Sequence, residues 1–201
     1  AVLITAIGVS YLLQNVALLV FGSDTKAFSN VVTLPNLELF GGQLIIKSVT
    51  IVTVIVSIII MVGLTFFVKR TKIGRAMTAV SEDQGAAQLM GINVNGTIAV
   101  TFAIGSMLAS VAGVLLCSAY PSLTPYTGSM PGIKAFVAAV FGGIGSIPGA
   151  FIGGIMLGVI ENLSKAYISS QLSDAIVFSI LIIVLLVKPT GLLGRKILEK
   201  V

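Results

Sequence analysis

Apolar residues run through this chain in long uncharged blocks, without the tight polar alternation of a water-facing surface. Residues 1–21 form the first block, and Ser48–Val68, rich in Ile and Val, forms the second. Ile98–Leu116 and Ala166–Val187 are two more. A 20-residue helix rises about 30 Å, the thickness of a bilayer's hydrocarbon, so each block predicts a membrane-spanning helix. The β-branched residues of Ser48–Val68 favour strands in water. Length and continuous hydrophobicity override that preference, because lipid requires every backbone polar group to be bonded within its own segment. The pattern predicts an all-α polytopic membrane protein.

The segments between the blocks are different in kind. Gly22–Lys47 holds Asp24, Lys26, Asn30, Pro35, Asn36, Glu38 and the pair Gly41–Gly42, and reads as an external loop with local turns or short strands. Lys69–Gly96 is polar by comparison. Tyr120–Pro131 contains Pro121, Pro125 and Pro131 and reads as a rigid loop. Lys134–Asn162 is apolar but broken by Gly142, Gly143, Gly145 and Gly149 around Pro148, and Lys188–Val201 is a basic tail.

Charge sharpens this picture. Charged residues are 9% of the chain, against roughly 25% in a soluble domain. None falls between Asp83 and Lys134. The absence of histidine excludes His-based metal sites and His general bases, and the lone Cys117 reads as a small buried hydrophobe. The first residue lies already in an apolar run with no basic leader before it, which reads as the C-terminal portion of a longer chain and not as a signal peptide.

Cytoplasmic loops are enriched in Lys and Arg. Lys69, Arg70, Lys72 and Arg75 follow the second block, and Lys188, Arg195, Lys196 and Lys200 follow the last, so both segments are expected inside. A single crossing by Lys134–Asn162 would put the tail outside. A helical hairpin broken at the Gly–Pro segment removes the conflict, with legs Lys134–Ile147 and Gly149–Asn162, either re-entrant or as two short spans. The competing reading is one kinked helix. Non-helical backbone within a membrane needs cover from protein or a water-filled cavity, so Gly142–Gly149 is expected to face the interior and to border a substrate path.

Small residues recur at intervals of four: Gly105–Ala109–Gly113, Ala99–Ala103, Gly149–Gly153 and Gly154–Gly158. Such stripes let helix backbones approach closely, and packing within this chain is the expectation. Asp174 is an acid near the outer end of the last block, nine residues from Lys165 and so outside simple helical pairing with it.

The loop KRTKIGRAMTAVSEDQGAAQLMGINVNG has its own signals. Ser81 followed by Gln84 is a capping-box pattern, Glu82 and Asp83 suit a helix's first turn, and Gly91 suits its left-handed end. The prediction is a short helix over Ser81–Gly91 with a partly apolar exposed face. No phosphate-binding loop of the form G-x-x-x-x-G-K-[ST] is present, so a nucleotide-driven machine would need a separate ATPase.

The stretches GRAMTAVSEDQGAAQLMGINV, PGIKAFVAAVFGGIGSIPGAFIGG and KPTGLLG resemble, in order and spacing, the permease subunits of bacterial ATP-binding-cassette importers for branched-chain amino acids, specifically the smaller of their two permeases. The resemblance covers essentially the whole chain and implies one permease domain over 1–201, a bundle with a broken or re-entrant helix pair. It implies a coupling loop over 69–96 whose helix docks on cytoplasmic ATPase subunits. The E-A-A-x-x-x-G motif of such permeases aligns with Gly85, Ala86, Ala87 and Gly91; Gly85 replaces the glutamate, with Glu82 one turn earlier. Gly142, Gly143, Gly145, Ser146, Pro148 and Gly149 are the expected path residues. The further implied partners are a second permease subunit, an external substrate-binding protein and membrane lipid, with no nucleic acid. No cofactor is expected in this chain, ATP being held by the ATPase partners, and the setting is a bacterial or archaeal plasma (inner) membrane. Urea or short amides are the alternative substrates. An ion-coupled secondary transporter and a non-transporting scaffold are the competing classes.

Overall fold

The computed structural model of the chain describes residues 2–29, 37–39 and 44–194. The expected turns at Asn30, Pro35, Asn36 and Gly41–Gly42, and the tail cations Arg195, Lys196 and Lys200, lie outside the described residues. Internal contacts group the chain into two compact units, Ala1–Gly128 and Ser129–Val201.

In the first unit α1 spans Val2–Phe21, α2 Ser48–Arg70 and α5 Val94–Ala119, each long and apolar enough to cross a membrane. Their apolar windows bury no residue within the described chain. Helices this apolar and this uncovered are stable where lipid or other protein surrounds them. Between α2 and α5 lie α3, Lys72–Glu82, and α4, Gln84–Leu89. The loop after α1 holds the strands β1, Lys26–Ala27, β2, Leu37–Leu39, and β3, Leu44–Ile46. β2 and β3 pair antiparallel with Leu37 opposite Ile46, and β1 pairs antiparallel with β4, Ser122–Leu123.

Among the described residues, nothing packs on the small-residue stripe of α5. A Cβ at Gly105 or Gly113 would meet nothing within 4 Å, and Ala99, Ala103 and Ala109 are exposed. The described contacts of α5 with α2 and α3 leave those positions uncovered.

The second unit contains α6, Ser129–Gly142, α7, Ile147–Tyr167, and α8, Ser173–Val187. Lys134 on α6 bonds Glu161 on α7, while Gly142 and Gly149 touch at the opposite end. The two helices therefore form an antiparallel hairpin, which removes the kinked-helix reading. The legs differ from those expected. Pro131 opens α6 within its first turn, where a missing N–H is tolerated, so the first leg starts earlier than Lys134. The second leg runs to Tyr167 and, at 21 residues, is long enough to span. The last helix begins at Ser173 instead of Ala166, after a turn in which Ser169 Oγ accepts from the Gln171 N–H and Ser173 Oγ donates to the Ser170 carbonyl. Serine side chains compete in this way with helical backbone bonds.

The core of this unit is Val137, Ala138, Phe141, Leu157 and Val177, with Phe178, Leu181 and Val184 against it. The expected Gly149–Gly153 seam is present. A Cβ at Gly153 would overlap the Ala138 carbonyl, and one at Gly142 would overlap that of Gly149. At Gly154 a Cβ would meet only the Ala138 methyl at 3.9 Å, and at Gly158 nothing, so that pair is not part of the seam.

Candidate functional site

Thr71 makes the corner that carries the chain from α2 into the connecting loop. Its Oγ1 donates to the Phe67 carbonyl (2.7 Å) and accepts from the Gly74 N–H (3.0 Å), ending one helix and capping the next. Gly74 is required there, since a Cβ would overlap the backbone of Val68. α3 then packs on α2 and α5.

The short helix expected over Ser81–Gly91 is smaller and capped differently. Ser81 lies in the last turn of α3 with its Oγ donating to the Thr78 carbonyl, and Glu82 is the last residue of that helix. The cap of α4 is Asp83, whose Oδ1 accepts from the Ala86 N–H at 3.0 Å. Asp83 has extended backbone (φ −156°, ψ 111°), which breaks one helix and starts the next, and a carboxylate is well suited to that position. The C-terminal end follows the sequence reading. Gly91 has φ +80°, its N–H bonds the Gln88 carbonyl, and the Ile92 N–H bonds the Ala87 carbonyl, the paired closure of a Schellman motif.

Of the motif positions, Ala87 is buried, and Glu82, Gly85, Ala86 and Gly91 are exposed. Gly85 has room for a side chain, with only Asp83 Oδ1 at 3.4 Å from a Cβ placed there. Leu89 and Met90 are 90% and 82% exposed. Two large apolar side chains on a doubly capped helix form a rigid projecting contact.

At the hairpin break, Gly143 (φ +115°) and Gly145 (φ +85°) adopt conformations that L side chains rarely take. Ile144 between them is 76% exposed. Ser146 caps α7, its Oγ accepting from the Gly149 N–H at 3.2 Å, with Pro148 in the helix's first turn. Gly142, Gly143 and Gly149 are buried as expected, whereas Gly145 and Pro148 are exposed and Ser146 is half-buried. The segment after α8 closes over this turn. The Leu192 and Leu193 N–H groups donate to the Phe141 and Gly142 carbonyls at 3.0 and 2.9 Å, satisfying the open end of α6. Gly191 (φ +75°) permits that approach, since a Cβ would lie 2.6 Å from Gly143 Cα and the Val140 carbonyl. Much of the polar backbone expected to face a substrate therefore holds the turn together. Among the described residues, the Ile144 and Gly145 N–H groups make no backbone hydrogen bond.

The other end of the second unit carries a charge cluster that sequence reading missed. Lys134 Nζ lies 2.8 Å from Glu161 Oε1 and 2.7 Å from Asp174 Oδ1, and Lys165 Nζ lies 2.5 Å from the same Glu161 oxygen. Two acids and two cations join α6, α7 and α8 with no net charge. Mutual pairing is the condition under which such groups persist in apolar helices. The partner of Asp174 is 40 positions back along the chain, beyond the reach of any local spacing rule; only Glu161 and Lys165, at i,i+4, were legible as a pair.

Residues 1–185 match the family model described as branched-chain amino acid transport system / permease component. The high-affinity branched-chain amino acid transport system permease protein LivH of Salmonella typhimurium is 49% identical over 209 residues, covering 99% of this chain and 65% of that protein. Its namesake in Escherichia coli K12 is 48% identical over the same shares. The permease protein BraD of Pseudomonas aeruginosa is 46% identical over 203 residues, 99% of this chain and 66% of that protein. The chain thus spans just under two thirds of the length of these relatives. No solved structure matches it.

Proposed function

The chain belongs to the branched-chain amino acid transport permease family, and from that membership we propose that it is a membrane-spanning subunit of an ATP-driven importer of leucine, isoleucine and valine. The observation that carries this reading is near-half identity to permease proteins of that transport system along 99% of the chain. The protein is a multi-pass component of the inner membrane and performs no chemistry on its substrate.

In this reading an external binding protein delivers the amino acid, and this chain with a second permease subunit forms the path. Separate cytoplasmic ATPase subunits bind ATP and move α4. The geometry of α4 supports that role, because its caps at Asp83 and Gly91 make it rigid while Leu89 and Met90 project from it. Side chains so exposed and apolar suit insertion into a partner's groove. Exposed Glu82, Gly85, Ala86 and Gly91 complete the docking segment, and buried Ala87 anchors it. The Gly142–Gly149 break borders the path, with the Ile144 and Gly145 N–H groups available to a carboxylate. Bare charges are costly in apolar surroundings, so a zwitterion needs such dipoles along its route.

Copurification tests the coupling. A tagged full-length chain is expected to bring down ATPase subunits from detergent-solubilised membranes. Leu89→Asp, at a position with no intramolecular role to lose, is expected to leave the permease intact and remove them. Retention of the ATPases by that variant contradicts docking through α4.

A further inference from the structure

α8 ends at Val187, and the chain then reverses in a turn closed by the Gly191 N–H on the Lys188 carbonyl at 2.9 Å. Pro189 sits inside that turn, and the Lys188 ammonium braces it by donating to the Leu192 carbonyl at 2.6 Å. The reversed segment returns to the end of α6, where the Leu192 and Leu193 N–H groups bond the Phe141 and Gly142 carbonyls. Gly191 and Gly194 both rest on Gly143. A Cβ on Gly143 would overlap the Gly194 backbone, and one on Gly191 would overlap Gly143 and the Val140 carbonyl. A Cβ on Gly194 would in turn overlap the Thr190 carbonyl within the segment itself. Three glycines at one crossing specify a single docked position by shape, since a side chain at any of them obstructs it.

The same contact is weakly held. Of the segment's side chains, Leu192 alone packs on the core of the unit, and it is half-buried. Leu193 is 49% exposed, and Lys188 and Pro189 are exposed. The remaining attachments are bonds to backbone carbonyls, which exchange for bonds to water at small net cost where water reaches them. The excess of cations in cytoplasmic loops assigns Lys188 and the tail after it to the inner face, where water is at hand. The far end of the unit is different, because Lys134 there ties α6 to both α7 and α8 through Glu161 and Asp174. A segment that docks in one place and carries little buried apolar surface belongs to the low-stability end of a structure, from which moving parts are drawn.

We propose that Lys188–Gly194 is a strap that opens and closes over the hairpin break during transport and seals the break on its cytoplasmic side while docked. Docked, it covers Gly143 and occupies the Phe141 and Gly142 carbonyls. Released, it uncovers them beside the Ile144 and Gly145 N–H groups. The seal rests on the reading that the break borders the path, whereas the release of the strap rests on its own bonds.

Hydrogen exchange at the strap amides reads the docked bonds directly. The full-length chain in its complex, in lipid nanodiscs, is compared without nucleotide and with ATP plus vanadate, and leucine uptake is measured for the same complex in vesicles. Exchange at Leu192 and Leu193 is expected to differ about tenfold between the two states, while exchange across Ile176–Val184 of α8 stays the same. Gly191→Val and Gly194→Val are each expected to hold the strap open, with fast exchange in both states and loss of ATP-driven uptake. Equal exchange in the two states overturns the strap, and uptake by that complex decides the transport reading separately. Exchange at Leu192 and Leu193 that changes only together with α8 also overturns it. Uptake at the wild-type rate by a variant whose strap exchanges fast removes the seal. A strap-specific change in a complex that takes up no leucine supports the strap and removes the path reading. The wild-type comparison decides the proposal even where neither variant folds.

Discussion

Replacing Gly153 with alanine adds one methyl group where α6 and α7 touch, and its effect can be worked out from the backbone alone. The new Cβ would overlap the Ala138 carbonyl oxygen and lie 2.9 and 3.0 Å from the N and Cα of Gly142, against 3.4–4 Å for ordinary contact. All three obstacles are backbone, so none can rotate away. The hairpin must open by roughly 0.5 Å or more, and a gap of that size forfeits a quarter to a half of each facing contact's dispersion energy. Overpacking of this kind costs about 1–3 kcal/mol. Alanine's better helix propensity returns about 1 kcal/mol. Gly158→Ala, five residues further along α7, gains the same propensity and meets nothing within 4 Å. The two variants are therefore expected to differ by about 2 kcal/mol, or about 4–8 °C in melting temperature for a protein of this size. Circular dichroism of the detergent-solubilised complex on heating measures the difference. Equal melting temperatures, or a more stable Gly153→Ala, would refute the seam.

The charge cluster and the caps give two further contrasts. Lys134→Met removes the cation shared by Glu161 and Asp174, and its loss is expected to fall between the ~1 kcal/mol of an exposed pair and the ~3–5 kcal/mol of a buried one. Lys165→Met removes one i,i+4 contact and is expected to cost about 0.3–0.5 kcal/mol, so equal melting temperatures for the two contradict the bridging role of Lys134. Asp83→Ala is expected to destabilise α4 by about 1 kcal/mol, speeding hydrogen exchange across residues 84–90 about fivefold, while Ser81→Ala leaves that exchange unchanged. The reverse order would restore the capping box at Ser81.

What was legible in the sequence follows from what each signal encodes. Hydrophobic length located α1, α2 and α5, because a bilayer sets a minimum that few other contexts satisfy. Their ends were less legible, since polar caps set them. α5 starts at Val94 and not Ile98 because Asn93 Oδ1 accepts from the Gly96 N–H, a bond that precedes the apolar block. At α4 Ser81 and Asp83 are both plausible caps in the sequence, and the extended backbone of Asp83 decides between them. The hairpin was foreseen from glycines and charge parity together. The backbone bonds from Leu192 and Leu193 that close over it join residues about fifty apart. The small-residue stripes show the limit of spacing as evidence. Among the described residues Gly149–Gly153 meets a neighbouring helix and Gly105–Gly113 meets none, although the two patterns are alike, because a stripe states which face permits close approach and not which helix arrives there.

An ATP-driven importer is defined by its energy source and its cargo. Vesicles containing the full-length chain with its complex and binding protein are supplied with labelled leucine, and uptake is followed with and without ATP. ATP-dependent accumulation that persists when proton and sodium gradients are collapsed is the predicted result. Accumulation that follows an ion gradient without ATP, or no accumulation with ATP present, would contradict it.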